Sequence, residues 1–423
     1  MVQNQIKNHS KPIGLLVFAN LIVLLVIGPL FSVQSFGTYI LLPALFIITV
    51  FRDRFTWDQG NFLIKILLVY WVYSIVSVFY YIDFQGMMRD LSGLTGVLLA
   101  SYCALALNKN ENHERYYHWG FIIAIILLML IEFLNGHVFI SSSGFEGAKT
   151  MPDPYGDPKA DRGIFLHNAN AYSYFSYFAN ISLCYLYLNY RKKYLMILLL
   201  VLSVIFVLFS FVTQSRSGLL LLVFTNVIFW IFILRNNSKN PLLNIGRFVV
   251  ILGVLVFMAL RFISIFENSD IKDRLIQKDE STLEREGLIQ EGIDMFFDSP
   301  VIGIGIGQFS HYSSTRQFSH NSFVEIFAEQ GFIGGFLLLF IFGVPTLKSL
   351  KNLLLFPRSE YTRLNFLFFF TFLTYNNVYV FYKFSFSMTY FFLIVAMQSK
   401  LTNNLINESN EINKQLISTE NND

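Results

Sequence analysis

Long apolar segments follow one another along almost the whole chain, and this pattern restricts the fold more than any other feature. Most of them approach the roughly 20 apolar residues that a helix needs to cross a bilayer. Charged residues occupy only 14% of the 423 positions, against about 25% in soluble domains. The sequence therefore predicts an all-α, polytopic membrane protein with about twelve transmembrane helices. The predicted spans lie near 13–31, 36–51, 61–81, 88–107, 119–140, 169–190, 194–213, 217–234, 246–266, 322–343, 363–381 and 384–398.

The distribution of lysine and arginine predicts the orientation. These residues accumulate in short cytoplasmic loops. With the N-terminus inside, the cytoplasmic turns contain Arg191, Lys192, Lys193, Lys348 and Lys351. Both termini are therefore predicted to lie in the cytoplasm. The first apolar run covers about 19 residues, longer than the roughly 7–15 of a cleaved signal peptide, and it lacks a small-x-small cleavage site, so we interpret it as a retained span.

Two long loops on the predicted outer side interrupt the apolar pattern. Loops beyond about 12–15 residues are usually functional or disordered. The second loop has helical apolar spacing over 282–297, which predicts an amphipathic helix on the outer surface. The predicted segments are N-terminal transmembrane helices at 1–140, a first outer loop at 141–168, central transmembrane helices at 169–266, a large outer loop at 267–321, C-terminal transmembrane helices at 322–398 and a cytoplasmic tail at 399–423.

Three polar segments stand at the predicted outer ends of helices. The turn 213–218 contains Arg216, the segment 299–309 contains three alternate glycines, and His320 and Asn321 open the next span. Ionisable groups at membrane depth are costly and usually functional. Each segment also has a plainer interpretation: an arginine that reaches the lipid headgroups, a flexible turn that re-enters the membrane, and a capping or loop histidine.

Together these segments resemble the O-antigen ligase and polysaccharide polymerase superfamily of bacterial inner-membrane glycosyltransferases. The resemblance covers roughly 162–335, and one departure is that Gly287 and Leu288 stand where an aromatic residue often follows the family's helix arginine. The matching segments are Thr213-Gln214-Ser215-Arg216-Ser217-Gly218, Arg285 with the proline- and glycine-rich turn Ser299-Pro300-Val301-Ile302-Gly303-Ile304-Gly305-Ile306-Gly307-Gln308-Phe309, His320-Asn321-Ser322-Phe323-Val324-Glu325 with Glu329, Gly331 and Gly334, and also Arg162-Gly163-Ile164-Phe165 with Asn168 and Asn170.

The resemblance implies a membrane glycosyltransferase that polymerises polyprenyl-pyrophosphate-linked oligosaccharide repeats on the outer face of the bacterial cytoplasmic membrane. The product would be a surface polysaccharide such as O-antigen, capsule or exopolysaccharide. The implied partners are the lipid-linked donor, a glycan acceptor and membrane lipid, with a chain-length regulator and a flippase as further candidates and no nucleic acid. The implied catalytic residues are His320, Arg216 and Arg285, and the implied substrate-binding residues are Arg162, Asn168, Ser215, Asn321 and Glu325.

The residue types suit this reaction without a cofactor or a metal ion. The sequence contains no Asp-x-Asp and no His-Glu-x-x-His motif, whereas the planar fork of arginine binds and neutralises a diphosphate leaving group. A histidine, with a reference pKa near 6.5, can accept the proton of a sugar hydroxyl. His320 is favoured over His311 and His167 because it opens a span beside the glycine turn. Asn321 either orients this histidine, binds sugar or caps the helix, and Glu325 either fixes the imidazolium, binds substrate or pairs with a basic residue.

Two other functions remain open from the sequence. An O-antigen ligase would use the same donor and transfer the glycan to the lipid A core or to a protein. A polysaccharide or lipid transporter, or flippase, would have a similar number of spans, but transporters usually show internal repeats and polar sites near the midplane. Here the polar groups gather at one predicted face, which favours the enzyme. We favour the polymerase because a ligase to lipid A requires an outer membrane, which the sequence does not indicate.

Overall fold

The structure describes a large part of the chain. The predicted span at 246–266 lies outside the described residues, as do Arg162, His167 and Asn168. The computed structural model describes residues 2–31, 36–53, 62–110, 113–135, 138–141, 144–147, 169–213, 215–234 and 280–420.

Helices dominate these ranges, as the apolar pattern predicts. Short π-helical turns at Val23–Ile27, Gly37–Leu41 and Phe229–Ile233 and a 3₁₀ turn at Val76–Phe79 extend neighbouring helices. The α-helices are α1 Val2–Ile22, α2 Gly28–Phe31, α3 Leu42–Asp53, α4 Phe62–Ile75, α5 Phe84–Asn110, α6 Glu114–Leu134, α7 Ala169–Tyr190, α8 Lys193–Val212, α9 Arg216–Ile228, α10 Glu280–Asp298, α11 Phe309–Tyr312, α12 Ser322–Leu355, α13 Glu360–Tyr375 and α14 Ser385–Glu420.

Within the described residues, 5 helices are long and apolar enough to cross a bilayer. Shorter apolar helical segments lie at Pro12–Ile27, Gly37–Phe51 and Ser217–Ile233. The all-α, multi-pass character is thus confirmed, whereas the count of about twelve spans stays a prediction. The helices that meet the criterion are Phe62–Phe79, Phe84–Asn108, Glu114–Leu134, Lys193–Ser210 and Ser322–Leu355.

The structure adds three features that hydrophobicity alone did not show. The last two predicted spans are separate helices, because α13 ends at Tyr375 and α14 begins at Ser385. An antiparallel two-stranded hairpin, β1 Val138–Ser141 and β2 Gly144–Gly147, lies across the boundary between the span predicted at 119–140 and the first predicted outer loop. The helix that follows His320, α12, is broken at Gly331, where the backbone turns to φ 59° and ψ −160°.

The centre of the bundle is α7. Every residue from 171 to 186 is buried, whereas a surface helix would expose one polar face. Hydroxyl and amide groups join α7 to its neighbours across the apolar interior, as is usual between membrane helices. These bonds link Tyr177 Oη with Thr371 Oγ1 at 2.5 Å, Ser203 Oγ with Asn180 Oδ1 at 2.7 Å, and Ser182 Oγ with Tyr390 Oη at 2.9 Å.

Candidate functional site

Three connecting segments meet at one end of the bundle. The side chain of Gln308 accepts hydrogen bonds from the backbone N–H groups of Ile82, at 3.0 Å, and Asp83, at 2.7 Å. The backbone N–H of Ser322 donates to the carbonyl of Asn376 at 2.7 Å. The α4–α5 turn, the α10–α12 connection and the α13–α14 turn therefore lie together, and the α10–α12 connection contains two of the segments that the sequence singled out.

The glycine-rich turn is a fixed element of this end. Gly303 and Gly305 have positive φ angles of 72° and 106°, which side chains other than glycine rarely adopt. The N–H of Gly305 donates to the carbonyl of Glu329 at 2.8 Å. A Cβ atom on Gly303 would lie 2.3 Å from the backbone carbon of Glu329. The interpretation as a flexible turn is therefore wrong, because the turn docks against the helix that follows His320.

His320 lies in a short, strained loop at the start of α12. Its φ angle is 56°, an uncommon left-handed conformation for a residue with a side chain. Next to it, Asn321 is the N-cap of α12, and its Oδ1 accepts from the N–H groups of Phe323 at 3.0 Å and Val324 at 3.2 Å. The capping alternative for Asn321 is confirmed, and a role in sugar binding stays a prediction.

Glu325 is fully buried and stabilises the loop that carries His320. One carboxylate oxygen accepts from the backbone N–H of Ser319 at 3.2 Å and from its hydroxyl at 3.0 Å. The other lies 2.6 Å from the ammonium of Lys383. Of the alternatives raised by the sequence, pairing with a basic residue is the one that the structure shows, and contact with substrate stays a prediction.

Lys383 is the centre of a buried cluster of charges. Its Nζ lies 2.6 Å from Asp90, 2.6 Å from Glu325 and 2.8 Å from Glu329. Burial alone lowers the pKa of Lys383, but the three carboxylates together raise it well above the ordinary value for lysine. The ammonium therefore stays protonated, in the turn between α13 and α14. Neither this lysine nor Asp90 is among the site residues predicted from the sequence.

The same three carboxylates have a spacing that suits a metal ion, since they offer oxygens within 4.8 Å of one another. The Lys383 ammonium already lies within hydrogen-bond distance of all three. It is a fixed positive charge in the position that a cation would take. The sequence contains only a weak indication of this cluster. Lys383 stands between two apolar spans and Asp90 stands inside a third, and charged side chains at such positions have a high free-energy cost in a membrane.

Aromatic and basic side chains border this cluster beside His320. The guanidinium of Arg89 lies 5.1 Å from the ring centre of Phe318, and the Lys383 ammonium lies 5.6 Å from the same ring. Distances below about 6 Å are typical of cation–π contacts. Arg89 also pairs with Asp90 at 3.0 Å, and 57% of its side chain is exposed. The loop that carries His320 is thus flanked by two cations that the sequence analysis did not single out.

The second half of the site lies around Tyr174 on α7. The guanidinium of Arg285, on α10, is close enough to act electrostatically on the Tyr174 phenol, which also adjoins the side chain of Ser217. The ring centre of Tyr174 lies 4.3 Å from that of Tyr379 in the α13–α14 turn. Glu284, next to Arg285, accepts a hydrogen bond at 2.8 Å from Gln317 in the connection that carries His320. Arg285 and the first turn of α9 therefore lie on the same side of the bundle as the Lys383 cluster.

The first turn of α9 has the features of an anion site. Ser215 is its N-cap, and Arg216 is the first helical residue. The Ser215 hydroxyl is buried and has no hydrogen-bond partner within the described part of the chain. Backbone N–H groups at a helix N-terminus attract negative charge. The backbone of Arg216 places this residue at the same turn, while its side chain lies outside the described part.

His311, the rival histidine that the structure describes, lies on α11. Its Nδ1 is 3.4 Å from a guanidinium nitrogen of Arg316, and its ring packs edge-on against Tyr312. Neither contact connects it with the Lys383 cluster. His320, by contrast, directly follows Ser319, which is bonded to that cluster through Glu325.

Comparison with known families gives one match. Residues 198–339 match the family model described as O-antigen ligase. This segment contains α9, α10 and the start of α12, and with them Arg216, Arg285 and His320. A search of curated proteins finds no match to the chain. Over residues 198–339 the chain is therefore similar to the O-antigen ligase family, in agreement with the resemblance that the sequence motifs carry.

Proposed function

We propose that this protein is a metal-independent glycosyltransferase that polymerises polyprenyl-pyrophosphate-linked repeat units of a surface polysaccharide. The reaction would take place on the outer face of the bacterial cytoplasmic membrane, with both chain termini in the cytoplasm. One observation carries the proposal. The backbone of Arg216, the side chain of Arg285 and the loop of His320 come from three distant parts of the family-matched segment and lie at one end of the bundle.

The donor would be held by its diphosphate. Negative charge develops on this group as the bond to the sugar breaks, and preorganised positive groups stabilise it. Arg216 and Arg285 supply guanidinium forks, and the buried hydroxyl of Ser215 and the N-terminus of α9 supply further donors. Arg162 and Asn168 would complete donor binding from the first outer loop. Because arginine stays charged at all relevant pH values, no metal ion is needed for this step.

The acceptor would be activated by His320. In this step the imidazole takes the hydroxyl proton while the hydroxyl oxygen attacks the anomeric carbon. The bond from that carbon to the phosphate oxygen breaks, and polyprenyl pyrophosphate leaves with the electron pair. The side chain of His320 is partly exposed, so it can reach a glycan that approaches from the outer surface. Asn321 and Glu325 fix the loop on either side.

A polymerase and a ligase share this donor chemistry and differ in the acceptor. A polymerase transfers the growing chain to another lipid-linked repeat, whereas a ligase transfers it to the lipid A core or to a protein. We favour the polymerase on the argument from the sequence, since nothing in the chain requires an outer membrane. A transporter is less well supported on the argument from the sequence, because the polar segments gather at one predicted face of the membrane.

Deletion of the gene that encodes this chain distinguishes the three functions in cells. Loss of a polymerase should leave lipid-linked single repeats on the outer leaflet, accessible to a membrane-impermeant glycan label, with little long polymer. Loss of a flippase should leave the same lipids on the inner leaflet, protected from the label. Loss of a ligase should leave long lipid-linked polymer that is not joined to its final acceptor. Mass spectrometry of the extracted lipids distinguishes the three products.

The control for this experiment is complementation. The wild-type chain and Gly287→Ala should both restore long polymer, because a Cβ atom on Gly287 would have no neighbour within 4 Å in the described structure. Inner-leaflet accumulation in the deletion strain would contradict the proposed function.

A chain-length regulator and a flippase are the expected partners. Loss of the regulator should change polymer length, and loss of the flippase should reduce the supply of repeat units.

A further inference from the structure

Lys383, Asp90 and Glu329 of the buried cluster have no role in the mechanism above, although the cluster lies next to His320 through Glu325. Its carboxylates come from α5, for Asp90, and α12, for Glu325 and Glu329, and its lysine comes from the α13–α14 turn. We propose that Lys383 is a positioning residue for the transfer reaction, which holds the His320 loop in its reactive conformation through Glu325. The catalytic part of this inference rests on the proposed role of His320.

A continuous path of hydrogen bonds leads from Lys383 to the backbone on both sides of His320. The ammonium binds one oxygen of Glu325 at 2.6 Å, and the other oxygen accepts from the N–H and the hydroxyl of Ser319. The Ser319 hydroxyl has one proton, which it can donate either to this carboxylate oxygen or to the carbonyl of Asn321, at 2.8 Å, and it accepts from the N–H of Asn321 at 3.1 Å. Hydrogen bonds that begin at Lys383 and pass through Glu325 therefore hold Ser319 and Asn321, the residues on either side of His320.

The backbone conformation of His320 requires that the residues on either side be held in place. Its positive φ angle of 56° is unfavourable for a residue with a Cβ atom. Conformations of this kind persist only where the surrounding structure fixes them, and they gather at functional sites. The hydrogen bonding between Ser319 and Asn321 provides this constraint, and α12 begins immediately after Asn321.

The charges of the cluster explain why the conformation of the His320 loop depends on Lys383. Asp90, Glu325 and Glu329 are all buried, and Lys383 is the cation that contacts all three, whereas Arg89 pairs with Asp90. Without Lys383, Glu325 and Glu329 would lose the ammonium that pairs with both, and buried carboxylates without a counter-ion take up protons or move apart. In either case Glu325 would change its bonds to Ser319, and the loop would lose its anchor. Lys383 also contacts the ring of Phe318, two residues before His320.

The test uses the full-length protein in membranes or detergent. Lys383→Ala should lower polymer formation by about 10²-fold, the size of effect that misplacement of a reacting group by about 1 Å produces. Addition of propylamine should restore part of the activity, because the amine brings an ammonium group into the space that the side chain left. Lys383→Arg keeps the charge and should retain more activity than Lys383→Ala, which tests the requirement for a cation independently of the amine.

A second readout does not depend on catalysis. Hydrogen–deuterium exchange should be faster at Ser319 and its neighbours in Lys383→Ala, while the amides of the central helix α7 keep their protection. Lys348→Met is the control: Lys348 is an exposed lysine on the same helix as Glu325, and its Nζ donates to the Ser399 hydroxyl at 3.5 Å. This control should leave both polymer formation and exchange at Ser319 unchanged.

The outcomes separate this inference from the proposed function. Unchanged exchange at Ser319 in Lys383→Ala overturns the positioning role, as does loss of protection across the whole bundle, which would make Lys383 a general stabilising residue. Failure of both propylamine and arginine to restore activity also overturns it. If exchange at Ser319 increases as expected but His320 variants make normal polymer, the loop is anchored as proposed and the assignment of His320 as the base is wrong.

Discussion

Replacement of His320 by alanine is expected to lower polymer formation by about 10²–10⁴-fold, the usual contribution of a general base. Lipid-linked single repeats should accumulate while the amount of protein in the membrane stays normal. Because the loss would be in the transition state, binding of the donor should be largely kept. The activity of the wild-type protein should fall as the pH is lowered and the imidazole takes up a proton, since a protonated imidazole cannot accept the proton of the hydroxyl. Polymer length on a gel measures the effect.

The backbone at His320 suggests a sharper variant than alanine. Asparagine tolerates the left-handed conformation better than other residues with side chains, so His320→Asn should preserve the loop with its φ of 56° and remove only the base. We expect His320→Asn to be as inactive as His320→Ala. His311→Ala and His167→Ala are the controls and should have much smaller effects. Normal polymer in both His320 variants, together with loss in either control, would show that another histidine is the base.

Removal of the Arg216 side chain is the second large effect that we expect. Deletion of one group that stabilises developing charge in a transition state typically costs about 10²–10³-fold in rate, so Arg216→Ala should make little polymer. Arg216→Lys should recover poorly, because an ammonium cannot make the bidentate contact of a guanidinium with phosphate. Arg285→Ala should resemble Arg216→Ala. Incorporation of labelled repeat units into polymer, at matched protein levels, measures each variant.

The control for the arginine variants is an exposed arginine away from the site. Arg358 lies in the turn between α12 and α13 and is exposed, so Arg358→Ala should make polymer at the normal rate. Wild-type polymer from Arg216→Ala would mean that Arg216 only anchors α9 to the lipid headgroups. Full activity of Arg216→Lys would mean that a point charge is sufficient and that the bidentate contact is not part of the mechanism.

Local patterns in the sequence predicted much of the helical architecture. The amphipathic spacing over 282–297 corresponds to α10, Glu280–Asp298, and the polar turn at 213–218 contains the start of α9. These predictions depend on residues that are close in sequence, because helical periodicity and turn composition are local properties. The hairpin at 138–147 was missed because only four residues contribute to each strand, too few for a clear alternation.

The Lys383 cluster could not be predicted in the same way. Its members stand at positions 90, 325, 329 and 383, and only the packing of α5, α12 and the α13–α14 turn brings them together. The glycine turn posed a similar problem. Alternate glycines are compatible with flexibility, and only the contacts of Gly303 and Gly305 with α12 show that the turn is fixed. A lysine or aspartate next to an apolar span remains the one local signal that points to such a cluster.

The central claim is that the chain itself transfers glycan from polyprenyl pyrophosphate without a metal ion. It is tested most directly with the purified protein in liposomes that contain lipid-linked repeat units and an excess of EDTA. We predict that polyprenyl pyrophosphate is released in step with the growth of lipid-linked glycans longer than one repeat, and that both products disappear in His320→Asn. Movement of intact donor across the bilayer without release of polyprenyl pyrophosphate, or activity that EDTA abolishes and Mg²⁺ restores, would contradict this account.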